Sequence, residues 1–449
     1  MNELDETSHS QAPSPVDLRI DAGWVIPVEP EGIALAGHSV LLRAGRIVAV
    51  LPTGEAGRLY TARQVLRLPE HALLPGLVNL HTHAAMTLLR GLADDRPLMT
   101  WLKEHIWPAE ARWVSPEFVR DGTRLACVEM LLGGITCFND MYFFPDAAVE
   151  AAIAARQRIA AGIIVIDFAS AWAADADAYL DRGLAMYDAW RHHPLFSACL
   201  APHAPYSTSD RSLEKVLTYA GQLDLPVHMH VHETEDEIRQ GIEQHGVRPL
   251  ARLHHLGLIT PQFIAVHGVH LNADEIALLA GCGSHVAHCP SSNLKLAAGL
   301  APVAALLDQG VSVGLGSDGA ASNNRLDLWE EMRLAALLAK GTSGRADALP
   351  AARALTLATL GGARALGLEA EIGSIEAGKA ADLIAVDLSG PDCQPLYDPI
   401  SQLVYSASRE KVSHVWVAGE AVVEDGAFTT LDTREVLHRV HQWRERIAG

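Results

Sequence analysis

From residue 72 to about 319 the chain alternates between short, nearly continuous apolar runs and longer stretches with helical periodicity. The runs are LLPGLVNLHTH (73–83), GITCFND (134–140), GIIVIDF (162–168), FSACLAPH (196–203), PVHMHVHE (226–233), FIAVHGVH (263–270), HVAHCP (285–290) and VSVGLGSDG (311–319). Between them, SPEFVRDGTRLACVEMLLG (115–133), PDAAVEAAIAARQRI (145–159), DRSLEKVLTYAGQL (210–223) and NRLDLWEEMRLAALLAK (324–340) repeat apolar residues at helical spacing. A strand that is apolar throughout is buried on both faces, as in a parallel sheet covered by helices. Eight such strand and helix units are the number that closes a (β/α)8 TIM barrel.

The flanks carry a different pattern. Residues 17–71 and 371–430 show short alternating strands punctuated by Gly, Pro and Asp, which is hairpin-rich β structure. Neither segment makes a core alone, so the two are expected to pair into one small β-sandwich, with the barrel (72–370) inserted between them. ALTLATLGGARALGL (354–368) links the two units, and 431–449 reads as a C-terminal helix. The fold class is therefore α/β. Residues 1–16, beginning MNELDETSHSQAPSP, are acidic and polar, lack the basic and apolar regions of a signal peptide, and read as a disordered tail.

Composition narrows the function. The 449 residues carry 35 Lys and Arg against 54 Asp and Glu, a formal charge of −19. Nucleic-acid binding depends on clustered cations that displace counterions from phosphates, so no nucleic-acid partner is expected, and no anionic membrane surface either. The most apolar stretch, 151–174, is broken by Arg156, Arg158 and Asp167, which excludes a membrane span. Six scattered cysteines without a C-x-x-C pair suit a cytoplasmic protein with free thiols, and they exclude the cytidine-deaminase type of zinc site.

Barrel enzymes carry their chemistry at the C-terminal ends of the strands. Here the first run ends in His81-Thr82-His83, whose i and i+2 side chains share one direction. The fourth ends in His203, the fifth in His228, His230, His232 and Glu233, the sixth in His267, and the eighth in Asp318. Imidazoles and carboxylates from several strands, without a thiolate, suit a divalent metal in an open catalytic site. On the fifth run the three histidines have equal parity, so spacing alone leaves the ligand open among them.

At these residues the chain resembles the amidohydrolase superfamily, and within it the branch of 5′-methylthioadenosine/S-adenosylhomocysteine deaminases and s-triazine chlorohydrolases. The matching segments include PGLVNLHTHAAMTLLRGLADD (75–95), HIWPAEARW (105–113), PHAPYS (202–207), HMHVHETEDE (228–237), HCPSSNLKLAAG (288–299) and GSDGAASNN (316–324). The resemblance implies metal ligation by His81, His83, His230 and Asp318, with the ligand histidine three residues before the catalytic Glu233. It implies catalytic roles for Glu233, His267 and Asp318, and substrate contacts by Glu110, His203, Glu233 and Asp318. His228 and His232 become structural, as do His288, Asn293 and Ser322 to Asn324. The third and fourth runs offer no bridging lysine, so one Zn2+ per subunit is expected, with Fe2+ as the alternative.

The resemblance implies hydrolytic deamination of an adenine nucleoside in a cytoplasmic homo-oligomer, dimer or tetramer. Residues 162–174 contain no arginine to pair with the carboxylate of S-adenosylhomocysteine, which ranks 5′-methylthioadenosine first, followed by adenosine. Trp101, Trp107, Phe143 and Trp172 are candidate walls for the neutral tail, although core packing suits each one better. The alternatives are a guanine, 8-oxoguanine or s-triazine hydrolase on the same barrel, and a non-catalytic member of the superfamily.

Overall fold

The structure is a computed structural model that describes residues 13–96 and 98–448. Eight strands, β1 (Leu77–Thr82), β2 (Ile135–Asp140), β3 (Arg158–Val165), β4 (Phe196–Pro202), β5 (Val227–Val231), β6 (Phe263–His267), β7 (His285–His288) and β8 (Ser312–Leu315), pair in parallel in chain order. Small and branched side chains fill the interior: Leu80, Cys137, Ala160, Ile264, Val266 and Ala287 form one buried cluster. Closure between β8 and β1 passes through the backbone, the Asp318 N–H donating to the His81 carbonyl at 3.0 Å. Gly316 permits that approach, because a Cβ there would lie 2.8 Å from the His81 Cβ.

Both flanks contribute to a second, nine-stranded sheet. The strand Tyr60–Pro75 runs parallel to Ser14–Val25 and antiparallel to Leu383–Asp387, so the two ends of the chain share adjacent strands. The sheet folds over a core of Ile20, Val40, Leu42, Leu73, Leu383 and Trp416. Its hairpin turns meet: a Cβ on Gly419 would lie 2.6 Å from the Gly45 Cα, and both glycines have positive φ. The last helix, Thr433–Ala448, docks on the helix Pro116–Leu132, where Asp121 Oδ2 accepts from Trp443 Nε1 at 2.8 Å and Arg439 Nε at 3.1 Å.

Three boundaries differ from those expected. β3 begins at Arg158, not at Gly162, and the preceding helix stops at Ala154 because Arg156 takes a left-handed φ of 57°. The run IAAGIIV is apolar throughout, and periodicity alone does not separate a buried strand from a buried helix there. The first strand of the flanking sheet starts at Ser14, inside the stretch expected to be a tail, whereas residues 1–12 lie outside the described residues. Among the described residues no helix is long and apolar enough to cross a membrane. The six cysteines are free, and burial pushes the Cys137 and Cys199 thiols up to about 12.

Arg158 ties the barrel to the sheet. Its Nε and second guanidinium nitrogen donate to Asp382 at 2.7 and 3.1 Å, and Asp382 also accepts from the Ala418 N–H at 2.8 Å. The Asp382 side chain is 1% exposed. Arg158→Met leaves that carboxylate buried without its cation and is expected to cost about 3–5 kcal/mol of unfolding free energy. Denaturant titration checks this, and a loss too small to detect contradicts the assignment.

Candidate active site

The strand exits bring the expected residues into one cluster. His81 is fully buried at the end of β1, with Nε2 3.2 Å from Asp318 Oδ1; His83 follows, with Nε2 3.3 Å from the same oxygen. His230 reaches in from β5, its Nε2 3.2 Å from that of His81. His267 ends β6 and stacks on His230, the ring centroids 5.5 Å apart at 17°. Glu233 lies two residues beyond β5, with Oε1 3.8 Å from His267 Nε2. The ring of His203 is 5.0 Å from that of His230. Glu110 comes from an outer helix and joins the cluster through Tyr142, whose hydroxyl donates to Glu110 Oε1 at 2.7 Å.

Hydrogen bonding sets which ring atoms face the centre. His83 Nδ1 donates to the Met141 carbonyl at 2.6 Å and His230 Nδ1 to the His203 carbonyl at 2.8 Å, so in both rings Nε2 is the atom that points inward. Burial pushes His81 down to about 4 against the opposing pull of Asp318, and it holds His230 well below its ordinary value. His81 and His230 are therefore uncharged, and their Nε2 atoms face each other at 3.2 Å. Asp318 Oδ1 lies 3.2 Å from the same His81 nitrogen, so nitrogen and oxygen donors from three strand exits converge on one point. His81, His83 and Asp318 form one group of donor atoms within 4.8 Å of one another, and His81, His230 and His267 form another. Imidazole nitrogen and carboxylate oxygen suit a divalent transition metal, and the residues fit one.

The two central carboxylates sit in opposite environments. Burial alone would raise Asp318, but the His81 hydrogen bond and the surrounding imidazoles hold it well below the usual carboxylate range. Its Oδ2 accepts from Ser292 and Ser322 hydroxyls at 2.6 and 2.8 Å, and Oδ1 from the Gly319 N–H at 2.7 Å. Glu233 is pushed up by burial and by the charge of Asp318, against the opposing effect of His267. Burial also raises Glu110, opposed by the Tyr142 hydrogen bond, and lowers His203 to about 3. Ser207 Oγ donates to the Ala204 carbonyl and so accepts from His203 Nδ1 at 2.9 Å, which leaves His203 Nε2 as an acceptor.

Several residues brace the cluster through contacts that the sequence did not reveal. His228 Nε2 lies 3.1 Å from His81 Nδ1, and Asn293 Oδ1 accepts from His267 Nδ1 at 2.9 Å. Asn293 and Ser322, taken above as structural, hold His267 and Asp318. Glu237 accepts from the His232 and Glu233 N–H groups at 2.8 and 2.9 Å and fixes the turn that carries Glu233. Of the candidate walls, Trp101 and Trp172 are buried, Trp172 packing on Tyr179 at 5.4 Å, whereas Trp107 is 37% exposed and Phe143 partly buried.

Residues 72–422 match the amidohydrolase family. The chain is 50% identical over 434 residues to a 5-methylthioadenosine/S-adenosylhomocysteine deaminase of Teredinibacter turnerae, covering 97% of this chain and 98% of that one. A protein of the same description from Saccharophagus degradans is 43% identical, with 97% of each chain covered. Among solved structures, an adenosine deaminase from Xanthomonas campestris with bound zinc superposes with a TM-score of 0.96 at 49% identity, covering 97% of this chain and all of that one. An atrazine chlorohydrolase from Arthrobacter aurescens complexed with zinc gives 0.89 at 25% identity, covering 95% and 99%.

One buried acid behind the mouth sets a pH dependence. Glu331 accepts from the Ser291 N–H at 3.0 Å and from Asn323 Nδ2 at 2.7 Å, next to the serines that hold Asp318, and burial pushes it up to about 8. In the unfolded chain the same carboxyl ionises near ~4.3. The unfolded state therefore releases this proton first, and the group's contribution to stability falls as pH rises through that window to about 8. Glu331→Gln removes this slope. Urea midpoints at pH 5 and pH 9 are expected to show the variant gaining on the parent at the higher pH; an unchanged difference contradicts it.

Proposed function

The chain belongs to the amidohydrolase family, and from that premise we propose that it is a metal-dependent hydrolase removing the 6-amino group of an adenine nucleoside, giving the inosine-type product and ammonia. The observation that carries this reading is the pair of carboxylates beside the imidazole cluster, Asp318 held ionised and Glu233 held ready to carry a proton. The deaminase relatives and the zinc-bound structure support it.

His81, His83, His230 and Asp318 are the proposed ligands of one Zn2+ per subunit. Fe2+ would use the same donors, and elemental analysis separates the two. When bound, such a cation supplies Lewis-acid activation of water. Asp318 takes a proton from the water that adds to C6, and Glu233 gives one to N1, which draws electron density away from C6. His267, fixed by Asn293, orients the water with its Nε2. The proton on Asp318 leaves with the amino group as ammonia. Glu233 is reprotonated from the added hydroxyl as the carbonyl forms, so the pair returns to its starting state.

Glu110 accepts from the ribose hydroxyls, and His203 Nε2 accepts a further substrate hydrogen. Guanine, 8-oxoguanine and s-triazines have no ribose and would leave Glu110 unused. The first-ranked substrate is 5′-methylthioadenosine, followed by adenosine and S-adenosylhomocysteine. That order rests on the absence of arginine from residues 162–174; Arg182, the first arginine after that segment, is exposed on the helix Ala176–Trp190. The reading places the enzyme in the cytoplasm as a homo-oligomer, which sedimentation would measure.

Two measurements test this. Ammonia release across a panel of 5′-methylthioadenosine, adenosine, S-adenosylhomocysteine, guanine and 8-oxoguanine is expected to rank methylthioadenosine highest in kcat/KM. Equal values for methylthioadenosine and S-adenosylhomocysteine overturn the specificity, and turnover of the free bases alone overturns the substrate class. Glu233→Gln is expected to keep its metal content and nucleoside affinity while kcat drops by roughly 10^2-fold or more. An active variant contradicts the assignment of Glu233.

A further inference from the structure

We propose that Tyr142 is a positioning residue that makes the site selective for a nucleoside with an intact ribose diol, by holding Glu110 with one carboxylate oxygen engaged and the other presented to the sugar. The inference rests on the nucleoside reading above and names a determinant of specificity within it.

Glu110 differs from every other site residue in where it comes from. It lies on the helix Trp107–Trp113, outside the barrel, and this seven-residue helix has no fully buried side chain. Packing alone therefore gives the carboxylate little reason to stay at the mouth, and a glutamate gives up side-chain freedom when it is fixed. The tie is Tyr142, whose hydroxyl donates to Glu110 Oε1 at 2.7 Å. Tyr142 is anchored on the barrel two residues after β2. It is 3% exposed, its ring 6.4 Å from His83 and 5.5 Å from Phe143. The residue before it, Met141, supplies the carbonyl that holds His83 Nδ1, so a single turn positions both a metal-cluster imidazole and the phenol that fixes Glu110.

The hydrogen-bond pattern fits a diol. Burial and the neighbouring Glu110 keep the phenol protonated, so Tyr142 is a permanent donor to Oε1. Among the described residues Oε2 has no hydrogen-bond partner. Adjacent hydroxyls are paired donors on a rigid ring, and a carboxylate held in one orientation receives them without further loss of side-chain entropy. A site that commits a buried polar group to such a contact discriminates against the analogue that lacks it.

The test uses the full-length, metal-loaded enzyme with adenosine and 2′,3′-dideoxyadenosine. Tyr142→Phe keeps the ring and removes only the hydroxyl. The expected result is a fall in kcat/KM for adenosine that exceeds the fall for the dideoxy compound by about tenfold, carried mainly by KM, as for loss of one hydrogen bond to a charged group. Glu110→Gln should show the same selectivity, and the double variant should be no worse than Glu110→Gln alone. Equal losses on both substrates, additive losses in the double variant, or no loss in Tyr142→Phe overturn the proposal. If the unsubstituted enzyme deaminates neither nucleoside, the functional reading itself fails and this inference falls with it; if it deaminates both equally well, only the diol selectivity fails.

Discussion

Two uncharged imidazoles, His81 and His230, hold their Nε2 atoms 3.2 Å apart, with the Asp318 carboxylate 3.2 Å from the first. Imidazole nitrogen and carboxylate oxygen converging at that spacing are a donor set that a divalent cation would take. The rest of the molecule can be understood as what keeps those atoms converging. Met141 and His203 carbonyls turn two rings inward, His228 braces a third, and Ser292 and Ser322 grip Asp318 from behind. Each of these braces comes from a different strand exit, so the cluster exists only while the barrel is closed. The barrel in turn closes at the cluster, through the Asp318 N–H and the His81 carbonyl.

The same crowding separates the two acids. Asp318 sits among imidazoles and stays ionised, whereas Glu233, one residue beyond the turn at His232, is buried near the charge of Asp318 and is pushed toward holding its proton. A base and an acid at one carbon centre are what hydrolytic removal of an amino group requires. The difference comes from position alone, since the side chains differ by one methylene. Specificity is added from outside, where a weakly packed helix brings Glu110 to the mouth and Tyr142 receives it.

Much of this was legible in the order of residues. Eight apolar runs marked eight strands, and His81, His83, His267 and Asp318 stood at their ends. The choice among His228, His230 and His232 was not legible from spacing. β5 ends at Val231 and His232 takes a left-handed φ of 57°, which swings Glu233 back toward the site. Such a turn leaves no periodic trace in the sequence. The partners of Tyr142, Asn293 and Ser322 were not legible for a related reason: they lie 32, 26 and 4 residues away across loops whose paths only the folded barrel defines. The misplaced start of β3 reflects an apolar run with no alternation to read.

The central claim is that the converging donors hold one catalytic cation. Metal-free protein titrated with Zn2+, with deamination of 5′-methylthioadenosine followed at each addition, tests it most directly. Activity should rise in proportion to added metal and level off at one equivalent per chain. Activity in the metal-free protein, a plateau at two equivalents, or no activity at any loading would contradict the account.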